Sequence, residues 1–399
     1  MWVYCVEWAN MSVTSAQGFI AAGASGGLKS SGEKDVALVV NTGPESHACA
    51  VFTTNRFAAA PVLWSRAVLA DLDARVVVLN SGGANACTGP DGFTDTHRTA
   101  EFVAKVLTQG GIVECAGGDV VVCSTGIIGD RIDMAALERG VHLCSESLSS
   151  DGGLHAAQAI MTTDTVPKVA TCEGSGYSVG GMAKGAGMLA PGMATMLCVI
   201  TTDASIPIDW MQESLEYCTS RSFDRLDSDG CMSTNDTVVL LANGASGYEP
   251  IREDFEKVLF AVCDELSIAL RADAEGSTKD ISIQVLGAHT EKQAVEVGRA
   301  VARSNLFKCA MFGEDPNWGR ILSAVGTTNA QFEPDRVNVS INGIQICTNG
   351  SAGESRDGVD LSGRHVEVII DLREGQAQAT IRTNDLSLAY VHENSAYST

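Results

Sequence analysis

Short runs of β-branched residues alternate with segments of helical period along this sequence, and the alternation limits the folds open to the chain. Residues 76–78 and 120–122 are valine runs that lead into glycine-rich segments, 80–89 and 124–129. Between residues 255 and 270, apolar side chains recur at a helical spacing. Buried strands alternating with amphipathic helices predict an α/β protein with layered packing.

The second half of the chain predicts further elements. Residues 281, 283 and 285 are Ile, Ile and Val, an alternation that is typical of a strand with one buried face. Residues 291–312 predict a single helix. Residues 365–372 and 375–385 predict two strands that pair with each other.

Charge and cysteine usage narrow the class of protein. The 399 residues include 27 basic and 49 acidic side chains, for a net charge of −22. This balance argues against a nucleic acid or an anionic membrane surface as partner, since both need clustered Lys and Arg. The 13 cysteines are scattered without C-x-x-C spacing, which indicates reduced thiols in a cytoplasmic protein. Neither a metal site nor another cofactor is expected.

Neither the apolar runs nor the first residues predict a membrane-spanning segment or a signal peptide. The longest apolar run, around residues 186–200, contains Pro191 and is too short to span a bilayer. Residues 1–10 lack the basic start of a signal peptide. Because Met11 opens a more natural beginning, residues 1–10 are either a frayed extension or the product of a mis-called start, and we assign them no function.

A glycine-rich segment around Lys184 suggests a phosphate-binding loop at first sight. Gly174, Gly176 and Gly180 are spaced G-x-G-x-x-x-G, and Lys184 is followed by Gly185. A dinucleotide fingerprint needs G-x-G-x-x-G, and a P-loop needs Ser or Thr after its lysine. The spacing therefore argues against a nucleotide site.

Thr195 stands in an apolar segment near the middle of the chain, between Ala194 and Met196. Such a threonine is most often a buried residue whose hydroxyl bonds a nearby carbonyl. The alternative is a nucleophile whose proton is taken by the threonine's own α-amine. An internal threonine has no free α-amine, so this alternative requires the chain to be cut before Thr195. The residue alone leaves both alternatives open.

The segment KGAGMLAPGMATMLCVITTDA (184–204) resembles the signature of the ornithine acetyltransferase family, whose members cleave themselves before the threonine of an A-T-M-L motif. The resemblance covers the chain from about Met11 to Thr399, with its segments in family order. The others are VFTTNRFAAAPV (51–62), NSGGANACTG (80–89), CSTGIIG (123–129), MTTDTVPK (161–168), STNDTVVLLANG (233–244), DAEGSTK (273–279), CAMFGEDPNWGR (309–320) and YVHENSAYST (390–399).

The resemblance implies a layered sandwich of helices and sheets, of the type that self-processing ornithine acetyltransferases and aminopeptidases share. It implies self-cleavage at Ala194–Thr195, an α chain of residues 11–194 and a β chain of residues 195–399. Thr195 matches the nucleophile, and Thr125 and Gly126 match the oxyanion hole. From the residues alone, Thr125 and Gly126 are more simply a turn after a strand.

The substrates implied are N2-acetyl-L-ornithine as acetyl donor and L-glutamate as acceptor, in arginine biosynthesis, and some family members also accept acetyl-CoA. Lys184 suits an α-carboxylate, and Glu275 suits the side-chain amine of ornithine. The alternative for Glu275 is a solvated residue at the end of a helix. Substrate binding by Asn394 and Thr399 requires the C-terminal tail to fold back over the site. The implied substrate-binding residues are Thr162, Lys184, Thr195, Glu275, Asn394 and Thr399. The assembly implied is a heterotetramer of two α and two β chains, in the cytoplasm and without a cofactor.

Two other functions are weighed against the transferase. A related self-processing aminopeptidase would use water as its second nucleophile. A binding protein would hold an amino acid and stay a single uncut chain. The segments 313–320 and 390–399 favour the transferase.

Overall fold

The structure is a computed structural model and describes residues 12–190 and 196–396. Its strands are β1 (Phe19–Ala24), β2 (Val36–Asn41), β3 (His47–Phe52), β4 (Val76–Ser81), β5 (Val120–Thr125), β6 (Lys168–Glu173), β7 (Ser178–Lys184), β8 (Leu197–Thr202), β9 (Thr237–Ala242), β10 (Asp280–Ala288), β11 (Asn338–Ile341), β12 (Ile344–Thr348), β13 (Ser351–Ala352), β14 (His365–Asp371) and β15 (Ala377–Asn384). Its α-helices are α1 (Ala60–Val68), α2 (Gly89–Gln109), α3 (Met134–Ser147), α4 (Gly153–Ala159), α5 (Ile208–Thr219), α6 (Arg252–Ala272), α7 (Glu291–Ala302), α8 (Asn305–Phe312), α9 (Trp318–Val325) and α10 (Leu388–Ala396).

Two sheets lie face to face and form the centre of a sandwich. One has the strand order β1-β2-β4-β5 and the other β3-β9-β8-β7-β6. Leu79 and Val121 of the first share a buried core with Val199 and Leu241 of the second. The outer face of the first sheet packs on α2 and α3, and that of the second on α5 and α6. The helix–sheet–sheet–helix layering confirms the α/β sandwich expected from the sequence.

A third sheet, with the order β13-β12-β11-β14-β10-β15, has its own core with α7, α8 and α9. The prediction that residues 365–372 and 375–385 pair with each other is wrong, because β10 lies between them. β10 pairs in parallel with β14 and antiparallel with β15. The connection from β14 to β15 crosses the end of β10, where Gly287 O accepts from the N–H groups of Glu374 and Gly375. Alternation shows which face of a strand is buried but not which strand is its neighbour.

The single helix predicted over residues 291–312 is also wrong, because it is two helices, α7 and α8. Ser304 interrupts the run and caps α8, with its Oγ accepting from the N–H of Phe307. A serine side chain that bonds a backbone N–H favours a helix start over a helix interior. The other predicted elements are confirmed: the valine runs lie in β4 and β5, residues 255–270 lie in α6, and residues 281–285 lie in β10.

The thiols of the described residues are unpaired and mostly buried. All twelve cysteines in the described part of the chain are free, and seven of them are buried. Burial raises the pKa of the Cys123 thiol to about 12, which makes it unreactive near neutral pH. Among residues 12–190 and 196–396, no helix combines the length and apolar character that a membrane crossing needs.

Removing the cap at Ser304 tests the break between α7 and α8. We expect Ser304→Ala to lower the free energy of unfolding by about 1 kcal/mol, since an N–H at the start of α8 loses its acceptor. Ser323→Ala, at an exposed position within α9, is the control and should change stability by less. Urea denaturation of both variants measures this. Equal stability of Ser304→Ala and the wild type would mean that the cap contributes nothing.

Candidate active site

Thr125 ends β5, and Gly126 turns the chain away from the sheet. β5 runs parallel to β4, so that Thr125 lies opposite Ser81 and the loops after both strands meet at one edge. Gly83 in the first loop donates its N–H to the carbonyl of Thr125 at 3.0 Å. Gly126 has φ +132°, and a Cβ there would lie 2.5 Å from Gly83 N. Only glycine fits this turn, which holds the Thr125 hydroxyl and the Gly126 N–H at the sheet edge.

Buried amide side chains fix this edge. Asn80 donates to Gly83 O at 3.1 Å and accepts from the Ser124 hydroxyl at 2.6 Å. Asn235, which precedes β9 in the other sheet, donates to Ala84 O at 2.6 Å and to Ser124 O at 2.9 Å. The loop after β4 and the end of β5 are therefore tied to the segment before β9 by hydrogen bonds between buried groups.

Lys184, the last residue of β7, points into the same region and is only 1% exposed. Its ammonium donates to Thr162 Oγ1 at 2.6 Å and makes a longer contact of 3.4 Å with Thr125 Oγ1. Thr162 and Thr125, which the sequence analysis singled out, thus lie around one buried cation, the ammonium of Lys184.

Asp164 supplies the counter-charge. It lies 2.6 Å from the Lys168 ammonium and 3.9 Å from that of Lys184. Asp164 also accepts from the N–H groups of Thr162 and Gly185. Burial raises the pKa of Asp164, but Lys184 and Lys168 outweigh burial and hold the pKa at about 2.

Burial lowers the pKa of the Lys184 ammonium, and the nearby Lys168 acts in the same direction while Asp164 opposes both. Lys168 is itself paired with a second carboxylate, Asp273, at 2.6 Å. The buried region therefore contains two ammonium groups and two carboxylates in mutual contact.

Glu275 and Asn394 add a carboxylate and an amide to the same region. Glu275 follows α6 by three residues, and its N–H donates to Ala186 O at 3.0 Å. Asn394 lies on α10 and donates to Glu275 Oε2 at 3.0 Å. Gly276 allows this approach, because a Cβ there would lie 2.2 Å from Tyr390 N. The C-terminal segment thus folds back over the turn that carries Glu275, up to the last described residue.

These groups line one cavity of about 80 Å³. Its lining residues are Thr125, Gly126, Ile128, Thr162, Thr163, Lys184, Gly187, Met188, Glu275 and Asn394. A second cleft of about 480 Å³ shares Thr163 and Glu275 with it. The small cavity presents a cation, a carboxylate, hydroxyls and a backbone turn, the groups needed to orient a small zwitterion beside an oxyanion site.

Ala194, Thr195 and Thr399, which the sequence analysis singled out, lie outside the described residues. Met196, the first described residue after Ala190, donates its N–H to Asp236 Oδ1 at 3.0 Å. The next residue, Leu197, begins β8 and lies opposite Lys184 in the antiparallel pairing of β7 with β8.

The sequence analysis missed Asp164, Asn235 and Asp236, all buried here. Each lies in a segment that carried the family resemblance, 161–168 or 233–244. The available signal was a polar pair, Asn235–Asp236, directly before the buried strand β9. Buried polar residues beside a core strand need partners, so such a pair indicates a structured site.

Comparison with known proteins gives matches over nearly the whole chain. A family model described as the ArgJ family matches residues 20–399. The arginine biosynthesis bifunctional protein ArgJ of Streptomyces coelicolor is 58% identical over 388 residues, which cover 97% of this chain and 100% of that protein. The protein of the same name from Thermobifida fusca is 56% identical over 389 residues, covering 98% and 100%.

Solved structures also match. The ornithine acetyltransferase of Mycobacterium tuberculosis complexed with ornithine is 48% identical, with a TM-score of 0.43, over 48% of this chain and 97% of that chain.

The depressed pKa of Asp164 predicts a pH-dependent stability. A carboxyl whose pKa is lower in the folded state stabilises the fold above pH about 4, and this contribution is lost as pH falls towards about 2. We expect Asp164→Asn to be less stable than the wild type at pH 5, and the gap to shrink by about 2 kcal/mol by pH 2. Urea denaturation across this range measures the gap. A difference in unfolding free energy between the two proteins that stays constant from pH 5 to pH 2 would contradict the low pKa of Asp164.

Proposed function

The chain belongs to the ArgJ family, and we propose that it transfers an acetyl group between amino acids through a threonine that it frees by cutting itself. It is an acyltransferase of arginine biosynthesis. In the proposed reaction, N2-acetyl-L-ornithine gives its acetyl group to Thr195 and leaves as ornithine. L-Glutamate then takes the acetyl group and leaves as N-acetylglutamate. Acetyl-CoA is the second donor to assay, because the same acyl-threonine can form from it.

The observation that carries this proposal is the single cavity lined by Thr125, Gly126, Thr162, Lys184, Glu275 and Asn394. Hydroxyl groups occupy two of the three N–H donors of the Lys184 ammonium, which leaves the third for a substrate carboxylate. Glu275, held by Asn394, complements the cationic side chain of ornithine. An ammonium and a carboxylate that line one small cavity suit an α-amino acid with a basic side chain.

The nucleophile assigned here, Thr195, is covalently bonded to Met196, and consecutive Cα atoms are about 3.8 Å apart. Met196 is held by Asp236 at the edge where β8 begins and β7 ends with Lys184. The residue that follows the proposed nucleophile therefore lies at the same strand edge as Lys184, which lines the cavity. Thr399, three residues beyond the last described residue, is assigned to the same cavity on the family resemblance alone.

Cleavage begins when Thr195 Oγ attacks the carbonyl carbon of Ala194. The C–O bond forms, the peptide C–N bond breaks, and the hydroxyl proton passes to the departing nitrogen of Thr195. Water then hydrolyses the ester, which restores the hydroxyl and leaves a carboxylate on Ala194. Thr195 gains a free α-amine whose ordinary pKa is about 8, suited to a general base near neutral pH.

Acetyl transfer uses the new amine as base. The amine takes the proton of Thr195 Oγ as this oxygen attacks the acetyl carbonyl, and returns it to the departing α-amine of ornithine. The oxyanion formed lies against the hydroxyl of Thr125 and the N–H of Gly126, which is fixed by its glycine turn. The amine of glutamate then attacks the acetyl-threonine through the same steps in reverse.

The proposed cut falls between β7 and β8, which are hydrogen-bonded neighbours in one sheet. Residues 11–194 contribute β3, β6 and β7 to this sheet, and residues 195–399 contribute β8 and β9. The proposed α and β chains would therefore stay together through the shared sheet after the cut. A heterotetramer of two α and two β chains is the assembly we propose.

Intact-mass spectrometry tests the cut. The purified wild type should give two fragments split at Ala194–Thr195. Thr195→Ala should remain one chain because it lacks the attacking oxygen, whereas Thr195→Ser retains a hydroxyl and should still be cut. A wild type that stays in one piece, or a Thr195→Ala protein that is cut at the same bond, would contradict the proposal.

The oxyanion site is tested by comparing two glycines in one loop. Gly126 and Gly129 both have positive φ, +132° and +102°, so alanine is strained at either. Only at Gly126 would the new Cβ also clash, since nothing lies within 4 Å of one at Gly129. We expect Gly126→Ala to lower kcat/KM for acetyl transfer about 100-fold, and Gly129→Ala to change it far less. Equal losses of kcat/KM in the two variants would contradict the assignment of Gly126 to the oxyanion site.

A further inference from the structure

A second concave site is lined by the segment after α5, by α7 and by the loop after α9. It is a cleft of about 750 Å³ that shares no lining residue with the cavity of the candidate active site. Of its thirteen lining residues, five are cationic and three are acidic. The cations are Arg221, Arg225, Lys292, Arg299 and Arg303. Because the whole chain has a net charge of −22, this local excess of positive charge runs against the composition and needs a local explanation.

The carboxylates around the cleft neutralise its cations only in part. Glu291 lies 3.2 Å from the Arg221 guanidinium and 2.6 Å from that of Arg225. Arg303 is paired with Asp227 at 2.8 Å. One carboxylate thus serves two guanidinium groups, which leaves positive charge at this place without a counter-charge.

Two guanidinium groups of the cleft also have N–H donors without acceptors. Arg299 donates from Nη2 to the carbonyl of Asp224 at 2.9 Å, but its Nε is buried and has no partner among the described residues. Nη1 of Arg225, a residue that is only 9% exposed, is in the same position. Buried donors without acceptors are costly, and native proteins retain few of them.

The cations also act on one another. Burial is the largest cause that lowers the pKa of Arg299, and Arg303 and Arg225 lower it further, against Asp227 and Asp224. The carboxyl end of α7 attracts cations, which accounts for Arg299 and Arg303. It does not account for Arg221 and Arg225, which come from another segment of the chain. A bound anion would relieve the repulsion between the two groups.

The chemistry of the lining favours a phosphate group as this anion. A carboxylate is satisfied by a single guanidinium fork. A phosphate group carries up to two charges and three acceptor oxygens, so that it can accept from several guanidinium groups at once. The volume of the cleft is within the range of small-molecule sites, about 300–1,000 Å³.

We propose that this cleft binds the phosphate group of a small molecule between the guanidinium groups of Arg299 and Arg303. Arg221 and Arg225 add positive charge from the facing segment. The inference goes beyond the proposed acetyl transfer and does not depend on the cut, because none of these residues lines the active-site cavity.

Titration calorimetry of the purified protein at constant ionic strength tests the inference. The probes are inorganic phosphate and AMP, which present the same group free and attached to a larger molecule, and citrate, which has carboxylates only. We expect a phosphate probe to bind more tightly than citrate, and the tighter of the two phosphate probes indicates the source. Arg299→Gln should weaken that binding about 10-fold or more, because a charged donor is lost.

Arg336→Gln is the matched control. Arg336 is also an accessible arginine that donates to a backbone carbonyl, that of Arg373 at 3.0 Å, and it does not line the cleft. This variant should bind phosphate like the wild type. Equal weakening in Arg299→Gln and Arg336→Gln would overturn the inference, since any lost positive charge would then have the same effect. Tighter binding of citrate, or no binding of either phosphate probe, would also overturn it.

Chemical modification of the wild type gives a second test, which holds even where Arg299→Gln fails to fold. Phenylglyoxal reacts with arginine side chains, and the modified positions are mapped by mass spectrometry. With inorganic phosphate or AMP present, Arg299 and Arg303 should react more slowly while Arg336 reacts at an unchanged rate. Unchanged rates at Arg299 and Arg303 in the presence of both probes would overturn the inference.

Discussion

The antiparallel pairing of β7 with β8 is the interaction on which the candidate site depends. It brings Lys184, the last residue of β7, opposite Leu197, the first residue of β8. Because β9 runs parallel to β8, its beginning lies at the same edge and brings Asp236 to the N–H of Met196. A shift of one residue in this register would turn Lys184 to the other face of the sheet, away from Thr162.

The second constraint is the burial of charge. Lys184 and Lys168 share Asp164, and Lys168 also contacts Asp273. Removing charges from water is costly, and such clusters add little net stability, but removing one member is strongly destabilising. The cluster of charges instead fixes a position, because it holds the Lys184 ammonium against the Thr162 and Thr125 hydroxyls. A cation on a flexible side chain is thereby fixed in a small cavity.

Much of the fold was predictable because burial imposes a period on the sequence. The valine runs mark β4 and β5, which are buried along their whole length. The helical spacing of apolar residues marks the one face of α6 that is buried in a core. The third sheet was less predictable. Its residues 365–372 and 375–385 are consecutive strands that β10 separates, and strand order depends on long-range packing that periodicity does not encode.

The residues of the candidate site were not predictable from periodicity. Thr125, Lys184 and Glu275 came from the family resemblance, since a turn, a lysine and a helix end have no distinctive pattern by themselves. Asp164 and Asp236 were missed because a carboxylate in a sequence is usually exposed. Only the structure shows that one of them counters two ammonium groups and that the other holds a backbone N–H.

The measurement that tests the central claim most directly is the location of the acetyl group during turnover. The enzyme is mixed with N2-acetyl-L-ornithine in the absence of glutamate, quenched in acid, digested and mapped by mass spectrometry. The account predicts an added acetyl group on the side-chain oxygen of Thr195, in a peptide that begins at that residue. It also predicts that the group disappears when glutamate is added before the quench. An acetyl group on another side chain, or transfer to glutamate at full rate with Thr195 unmodified throughout, would contradict the account.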